Sequence, residues 1–329
     1  MNPIIEEYPS AELTPAALKC MVMGKTCTDA TLPINSITYS KDGMHMIIST
    51  DDDSIYLYDL GSGQRSRSVN SKKYGAAHVR FASDATCAIH SSTKVDHTIR
   101  YLSLADNKYI RYFPGHTDLV TGLSMSPNDD MFLSVSKDKS IRLWDLRTYA
   151  CMGIMNISSN AIAAFDPEGL IYAAGMGSNI IKLYDLRSFD KGPFSSFAMP
   201  QDLTNVEWTS MKFSPCGKFI LICTKGNRML LIDSFTGSVK NILEGHQNQS
   251  NIPLTGSFSP DSKYVSCGSS DKMIYTWGTA DGTIVHQYNT RHTTTPTIVE
   301  WSPVYVSFTS ADNKIILWTP TDEIATITG

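Results

Sequence analysis

The sequence has 329 residues, of which 42% are hydrophobic and 18% charged, and its net charge is -4 with a pI near 6.1. This composition supports a large packed core, and it argues against long disordered regions and against a broad positive surface for nucleic acid phosphates. We therefore expect a globular protein that does not bind nucleic acid directly.

The cysteines and the N-terminal residues indicate the compartment. The seven cysteines form no CxxC pair, and several lie in apolar runs, as Cys223 does, where a thiol behaves as a small hydrophobic side chain. Glu6 and Glu7 stand where a signal peptide carries positive charge, and no window approaches eighteen uninterrupted apolar residues. We expect a soluble protein in a reducing intracellular compartment, without membrane contact.

Short runs of β-branched and aromatic residues, such as Ser54–Tyr58, recur along the chain and are typical of strands, and no segment shows a sustained helical period. The chain can therefore be divided into repeating units. Aligning the units on the residue that ends such a strand gives seven equivalent positions: Tyr58, Leu102, Trp144, Tyr184, Ile232, Trp277 and Trp318. Successive positions are 44, 42, 40, 48, 45 and 41 residues apart. These spacings are close to the length of one four-stranded propeller blade, about 40 to 45 residues.

Two turn signals recur at fixed places in these units. An acidic residue six positions before the aligned one occurs in five units, as Asp52, Asp96, Asp138, Asp271 and Asp312. A Ser-Pro or Asp-Pro pair precedes the second strand in five units, at Ser126-Pro127, Asp166-Pro167, Ser214-Pro215, Ser259-Pro260 and Ser302-Pro303. Because proline presets a turn and stops strand pairing, these positions are interpreted as connections between strands.

The unit from Gly115 to Asp145 resembles the WD repeat almost position for position. A single blade cannot bury both faces of its sheet, so seven blades must stack around one axis to remove their apolar area from water. We predict an all-β fold, a seven-bladed WD-repeat β-propeller, in which closure of the ring is the main stabilising event.

The predicted boundaries follow from these units. We expect a single domain over residues 1–329, with blades formed by about 18–23 and 31–320 and with 1–15 as a candidate disordered stretch. The strand that closes the last blade is predicted near Leu18–Met23, and Glu323–Thr328 is the competing segment.

His116, Ser134, Asp138 and Trp144 could be mistaken for a catalytic Ser-His-Asp arrangement. In WD-repeat proteins, which this unit resembles, these positions form a buried hydrogen-bond chain, and buried polar groups need such partners. We therefore interpret them as a structural network and not as catalytic residues. The sixth unit has Cys267 at the serine position, which predicts an incomplete network there.

No motif predicts an enzyme, a cofactor or a metal site. The Gly-x-Gly pairs at Gly61 and Gly175 lack a later glycine and open no predicted helix, so they do not resemble a phosphate-binding loop. The histidines and cysteines show no zinc-like spacing.

Four stretches depart from the general WD pattern: Ser71–Gly75, Asp96–His116, Phe165–Leu170 and Tyr184–Phe194. Together they resemble the WD-repeat subunit shared by COMPASS-type histone methyltransferase complexes and by the cleavage and polyadenylation machinery with its associated protein phosphatase 1. The resemblance implies a nuclear, non-catalytic adaptor that is a monomer within a hetero-complex. It supports histone methylation, or mRNA 3′-end processing and transcription termination, and the phosphorylated tail of RNA polymerase II is a further implied partner.

Exposed aromatic and basic residues in these stretches are the candidate partner-binding residues, because aromatic and arginine side chains are enriched at interface hot spots. The candidates are Lys72, Lys73, Tyr74, Tyr109, Arg111, Tyr112, Phe113, Phe189, Lys191 and Phe194. Lys72 and Lys73 beside Tyr74 suit an acidic or phosphorylated peptide. A solvated loop and core packing are the competing interpretations.

An alternative function is a substrate receptor of a cullin-4-type ubiquitin ligase. The segment Trp144–Arg147, echoed by Tyr184–Arg187, resembles the WDxR box with which such propellers bind their adaptor. Arginine at this place is common in WD repeats, so the box by itself is weak evidence.

Overall fold

The computed structural model describes residues 13–204 and 206–321 of the chain. Within these residues the fold consists of seven antiparallel four-stranded sheets, one α-helix and two short 3-10 helices. The predicted all-β class and the seven-bladed propeller are confirmed. None of the helices in this part of the chain is both long and apolar enough to cross a membrane.

The described chain begins with α1 (Pro15–Lys19) and β1 (Met21–Cys27), and the other strands follow blade by blade. Blade 1 consists of β2 (Ile34–Tyr39), β3 (His45–Thr50), β4 (Ser54–Asp59) and β5 (Gln64–Asn70). Blade 2 consists of β6 (Ala77–Phe81), β7 (Cys87–Ser91), β8 (Ile99–Ser103) and β9 (Lys108–Phe113). Blade 3 consists of β10 (Val120–Met125), β11 (Met131–Ser136), β12 (Ser140–Asp145) and β13 (Cys151–Asn156).

The remaining blades repeat this order. Blade 4 consists of β14 (Ala161–Phe165), β15 (Ile171–Met176), β16 (Ile180–Asp185) and β17 (Ser195–Ala198), with 3-10 helices at Leu186–Lys191 and Gln201–Leu203. Blade 5 consists of β18 (Trp208–Phe213), β19 (Phe219–Thr224), β20 (Arg228–Asp233) and β21 (Val239–Glu244). Blade 6 consists of β22 (Ser257–Phe258), β23 (Tyr264–Gly268), β24 (Met273–Gly278) and β25 (Ile284–Asn289). Blade 7 consists of β26 (Ile298–Trp301), β27 (Phe308–Ala311) and β28 (Ile315–Pro320), together with β1.

The N-terminal strand β1 supplies the outer strand of blade 7. It pairs antiparallel with β28, from Met21 opposite Pro320 to Cys27 opposite Ile315. Leu18, which the sequence placed in this strand, lies instead in α1, where it is fully buried and its carbonyl accepts a hydrogen bond from the Tyr288 hydroxyl over 2.9 Å. The competing segment, residues 323–328, lies outside the described residues.

The hydrophobic core is divided among the blade interfaces. The described residues form seven apolar clusters, each shared by two neighbouring blades. Between blades 2 and 3, for example, the ring of Phe113 lies 5.0 Å from that of Phe132 and 5.7 Å from that of Trp144. Burying one such side chain contributes about 1.5 to 3 kcal/mol, so each blade is stabilised by packing against its two neighbours.

The recurring aspartates form the turns between the second and third strands. In each of the five units the carboxylate accepts a hydrogen bond from the backbone N–H two residues later, over 2.9 to 3.1 Å: Asp52 from Ser54, Asp96 from Thr98, Asp138 from Ser140, Asp271 from Met273 and Asp312 from Lys314. This local bond is the reason for an acidic residue at that position.

The strand order gives the ring two faces. Connections between blades and between second and third strands lie on one face, here called the upper face, which includes residues 71–76 and 92–98 of blade 2. Connections between first and second strands and between third and fourth strands lie on the lower face, which includes residues 166–170 and 186–194 of blade 4.

Candidate partner-binding surface

His116, Ser134, Asp138 and Trp144 form one chain of hydrogen bonds in blade 3. Nδ1 of His116 lies 2.8 Å from Oδ2 of Asp138, and its Nε2 lies 2.7 Å from Oγ of Ser134. The indole N–H of Trp144 donates to the same Oγ over 2.8 Å. Ser134 is fully buried, and both His116 and Trp144 bind its hydroxyl oxygen, which is typical of a structural network.

The charge state of this network is set by burial and hydrogen bonding. Burial lowers the pKa of His116 below its usual value, which favours the neutral ring. Burial alone would raise the pKa of Asp138, but hydrogen bonds from Ser140 and His116 outweigh that effect and lower the pKa to about 2. Asp138 therefore remains ionised and also accepts the backbone N–H of Thr117 over 3.1 Å.

Blade 7 contains the same network, which the sequence reasoning missed. Nε2 of His292 lies 2.8 Å from Oγ of Ser310, and the indole N–H of Trp318 donates to that Oγ over 2.9 Å. Nδ1 of His292 lies 2.8 Å from Oδ1 of Asp312. The sequence contained a signal for this second network, because His292 precedes Ser310 by 18 residues, the same separation as between His116 and Ser134.

Blade 6 does not form this network, as the cysteine at the serine position predicted. The thiol of Cys267 is buried and its pKa is raised by that burial. The indole N–H of Trp277 donates to the carbonyl of Glu244 over 2.8 Å, and the Tyr275 hydroxyl donates to Asp271 over 2.7 Å. Trp277 and Asp271 have thus taken other partners, whereas neither ring nitrogen of the buried His246 makes a hydrogen bond within the described residues.

Blade 2 has an ion pair where blades 3 and 7 have the network. Arg100 is 2% exposed, and its two terminal nitrogens bind the two carboxylate oxygens of Asp96 at 2.9 and 2.7 Å. Burial would raise the pKa of Asp96, but the bonds from Arg100 outweigh it and the pKa lies below its usual value. Bidentate pairing of this kind fixes the plane of the guanidinium.

Three tyrosines surround that guanidinium on the side of blade 2 that faces blade 1. The guanidinium carbon of Arg100 lies 3.7 Å from the ring centre of Tyr74, 5.7 Å from that of Tyr112 and 6.0 Å from that of Tyr109. The Tyr109 hydroxyl lies 2.9 Å from Oγ of Ser71, which ties the outer strand to the upper-face connection. The cluster therefore holds the loop that carries the lysine pair.

Four of the predicted residues come together at this cluster, and a fifth, Lys72, precedes Lys73 in the same turn. We call these five residues the blade 2 patch: Lys72, Lys73, Tyr74, Tyr109 and Tyr112. Lys72 and Lys73 are exposed, and Nζ of Lys73 lies 4.9 Å from the ring centre of Tyr74. The hydrogen bond and the charge of Lys73 hold the pKa of the Tyr74 hydroxyl below its usual value. Tyr112 is 48% exposed, so the patch presents two cations beside an aromatic surface.

Two neighbours in the same strand lie elsewhere. Arg111 points to the blade 3 side, where its guanidinium lies 4.5 Å from the ring centre of Tyr149 and donates to the carbonyl of Leu146. Phe113 is fully buried against Phe132 and Trp144. The prediction that Phe113 contacts a partner is therefore wrong, because its side chain belongs to the core.

The three predicted residues of blade 4 lie on the lower face, at and after the 3-10 helix Leu186–Lys191. Phe189 is half-buried over Gly153, where an added Cβ would stand 2.1 Å from its ring. Lys191 is exposed, and Phe194 is 59% exposed. These residues therefore lie on the face opposite to the blade 2 patch. Across the described ranges, no three histidine, cysteine, aspartate or glutamate side chains stand close enough to hold a metal ion.

Comparison with known proteins gives consistent matches. The family described as WD domain, G-beta repeat, matches residues 23–59, 107–145 and 237–278. WD repeat-containing protein 82 of Drosophila melanogaster is 46% identical over 312 residues, covering 95% of this chain and 98% of that protein. Set1 complex component swd2 of Schizosaccharomyces pombe is 39% identical over 70% of this chain and 67% of its own length. COMPASS component SWD2 of Saccharomyces cerevisiae is 32% identical, with coverage of 86% and 89%.

Two of these relatives have names that refer to a Set1 or COMPASS complex, and none of the three names refers to a ubiquitin ligase. In the predicted WDxR box, Arg147 is 70% exposed and binds Asp145 of its own turn at 3.0 and 2.9 Å. Nothing in this geometry favours the cullin alternative.

Proposed function

This chain belongs to the WD-repeat family of WD repeat-containing protein 82 and the Set1 and COMPASS Swd2 components, and we propose that it is a non-catalytic scaffold subunit of a COMPASS-type histone methyltransferase complex. The observation that carries this proposal is the 39% and 32% identity to components of those complexes. A rigid propeller with large exposed faces suits a scaffold, since it can bind several partners without rearranging.

The proposal includes a nuclear location and a second assembly. A subunit of a chromatin-modifying complex works in the nucleus. The non-consensus stretches that resemble the subunit shared with the polyadenylation machinery support a further role in mRNA 3′-end processing and transcription termination with a phosphatase module.

We assign partner binding to the blade 2 patch. Lys72 and Lys73 supply exposed positive charge, and the guanidinium of the buried Arg100 packs on the ring of Tyr74 and fixes its orientation. An acidic or phosphorylated peptide would gain charge-assisted hydrogen bonds from the lysines and stacking from the tyrosine. The phosphorylated tail of RNA polymerase II has this chemistry and is the partner that the resemblance implies.

The function is tested by quantitative mass spectrometry of the complex that copurifies with the tagged full chain from nuclear extract. Stoichiometric methyltransferase subunits are the expected result. The blade 2 patch is tested separately by charge reversal of its lysine pair, so failure of the assigned surface can be told apart from failure of the assigned complex.

A further inference from the structure

A cavity of about 350 Å³ opens on the lower face between blades 4 and 5. Its floor is apolar and includes Ile171, Leu183 and Phe213, which belong to the core between these blades or pack against it. Phe194 and Phe235 stand at its edge, 59% and 78% exposed. A single exposed apolar residue is ordinary, but two phenylalanines beside one apolar cavity are typical of a binding groove.

The backbone holds both phenylalanines in place. The N–H of Phe194 donates to the carbonyl of Leu183 over 3.0 Å, and the N–H of Phe235 donates to the carboxylate of Asp233 over 3.0 Å. Two residues after Phe235, Gly237 has a φ of +69°, and a Cβ added there would stand 2.0 Å from the ring of Phe197. The turn is therefore packed against blade 4, so the groove is already formed before a ligand binds.

The charged side chains that line the groove are all acidic. Its charged lining side chains are Asp166 and Glu168, and no lysine, arginine or histidine lines it among the described residues. Asp166 is occupied by its own turn, where it accepts the N–H groups of Leu170 and Ile171 at 2.9 Å each. The exposed carboxylate of Glu168 makes no hydrogen bond or ion pair within the described ranges.

The undescribed ends of this chain do not have the complementary charge. Residues 1–12 contain Glu6, Glu7 and Glu12, and residues 322–329 contain Asp322 and Glu323, with no lysine or arginine in either segment. The acidic edge of the groove would repel them. The occupant must combine an apolar side chain with neighbouring positive charge.

We propose that this groove, between Phe194 and Phe235, binds a short extended segment of another protein in which an apolar residue is flanked by arginine or lysine. The apolar side chain enters the cavity over Ile171 and Leu183, and the flanking cation pairs with Glu168. This surface lies on the face opposite to the blade 2 patch, so it lets the propeller hold two different partner segments at once.

Methyl NMR of the full chain tests the proposal, because Ile171 and Leu183 are methyl reporters in the cavity floor. The probes are acetyl-Gly-Arg-Leu-Arg-Gly-amide and its counterpart with aspartate in place of arginine. We expect the arginine peptide to shift both methyl signals and to bind at least about fivefold more tightly than the aspartate peptide. Signals that stay unmoved, or equal affinity for the two peptides, would overturn the proposal.

Variants separate the groove from other surfaces. The double variant Phe194→Ala with Phe235→Ala should bind the arginine peptide at least about fivefold more weakly than the wild type. The matched control is Leu170→Ala, which removes a 55% exposed side chain of the turn that carries Glu168 but does not line the groove, and which should leave binding unchanged. Glu168→Lys keeps the apolar floor and should reverse the preference toward the aspartate peptide. Unaltered binding of the arginine peptide by the double variant would contradict the proposal. Self-association of the chain that Phe235→Asp abolishes would also contradict it, because a second copy of the chain would then be the occupant of the groove.

Discussion

The guanidinium carbon of Arg100 lies 3.7 Å from the ring centre of Tyr74 while the same group is bound on both nitrogens by Asp96. Arg100 is buried and Tyr74 belongs to an upper-face connection, so the arginine of this ion pair directly supports a surface loop. The local stability of blade 2 and the shape of its candidate partner-binding surface are therefore coupled.

Replacing Arg100 with lysine tests that coupling. Arg100→Lys keeps the charge but loses the bidentate geometry and the flat stacking surface, so we expect the free energy of unfolding to fall by about 1 to 3 kcal/mol. Urea unfolding followed by circular dichroism measures the change. Arg67→Lys, at an exposed arginine of blade 1, is the matched control and should have little effect. Equal stability of both variants would show that Arg100 does not hold the blade.

Reversing the charge of the lysine pair tests the assignment of the blade 2 patch. Lys72→Glu with Lys73→Glu should reduce recovery of partner subunits without lowering the melting temperature, because both side chains are exposed. Lys137→Glu with Lys139→Glu makes the same charge change on the upper face of blade 3. If the two double variants recover partners equally well, the patch is not the interface.

Removing a member of the blade 3 network should destabilise the fold. Trp144→Ala or Asp138→Ala leaves buried polar groups without a partner, and we expect a loss of about 2 to 4 kcal/mol in the free energy of unfolding. The exposed Asp129 offers a control, since Asp129→Ala removes a carboxylate outside the network. An unchanged denaturation midpoint for Trp144→Ala would argue against the structural role of these residues.

Acid should remove the contribution of Asp138. Its pKa is lowered to about 2 in the folded protein, below the usual value near 4 of an unfolded chain, so the native state favours the ionised form. The corresponding stability is complete above pH 4 to 5 and is lost as the pH falls toward 2. Denaturant unfolding of wild type and Asp138→Asn across this window measures it, and the variant should show a smaller decline. Identical slopes would contradict the assigned ionisation.

The repeat could be predicted from the sequence because blade length and turn chemistry are local properties. Five aspartates six residues before the aligned position each form the same turn bond, so their spacing helped to place the strands. The second complete network was missed because Arg291 precedes His292, where blade 3 has Gly115 before His116. The 18-residue separation to the serine remained as a signal.

The blade 2 patch was only partly predictable, because a bulge changes which side chains share a face. Between Tyr101 and Leu102 the pairing with the outer strand shifts, and Ile110 is left as an extra residue. Regular alternation would place Tyr109 and Tyr112 on opposite faces, whereas the bulge brings their rings to 5.7 Å. The shift also places Phe113 in the core, and the regular alternation of side chains along a strand does not predict that position.

The subunit composition of the native complex tests directly whether this chain is a scaffold subunit of a COMPASS-type complex. The tagged full chain is purified from nuclear extract of its source under mild conditions, and the recovered proteins are quantified by mass spectrometry. We expect methyltransferase subunits of a COMPASS-type complex in near-stoichiometric amounts. Recovery of a cullin-4 adaptor at that level without methyltransferase or 3′-end processing subunits would contradict it.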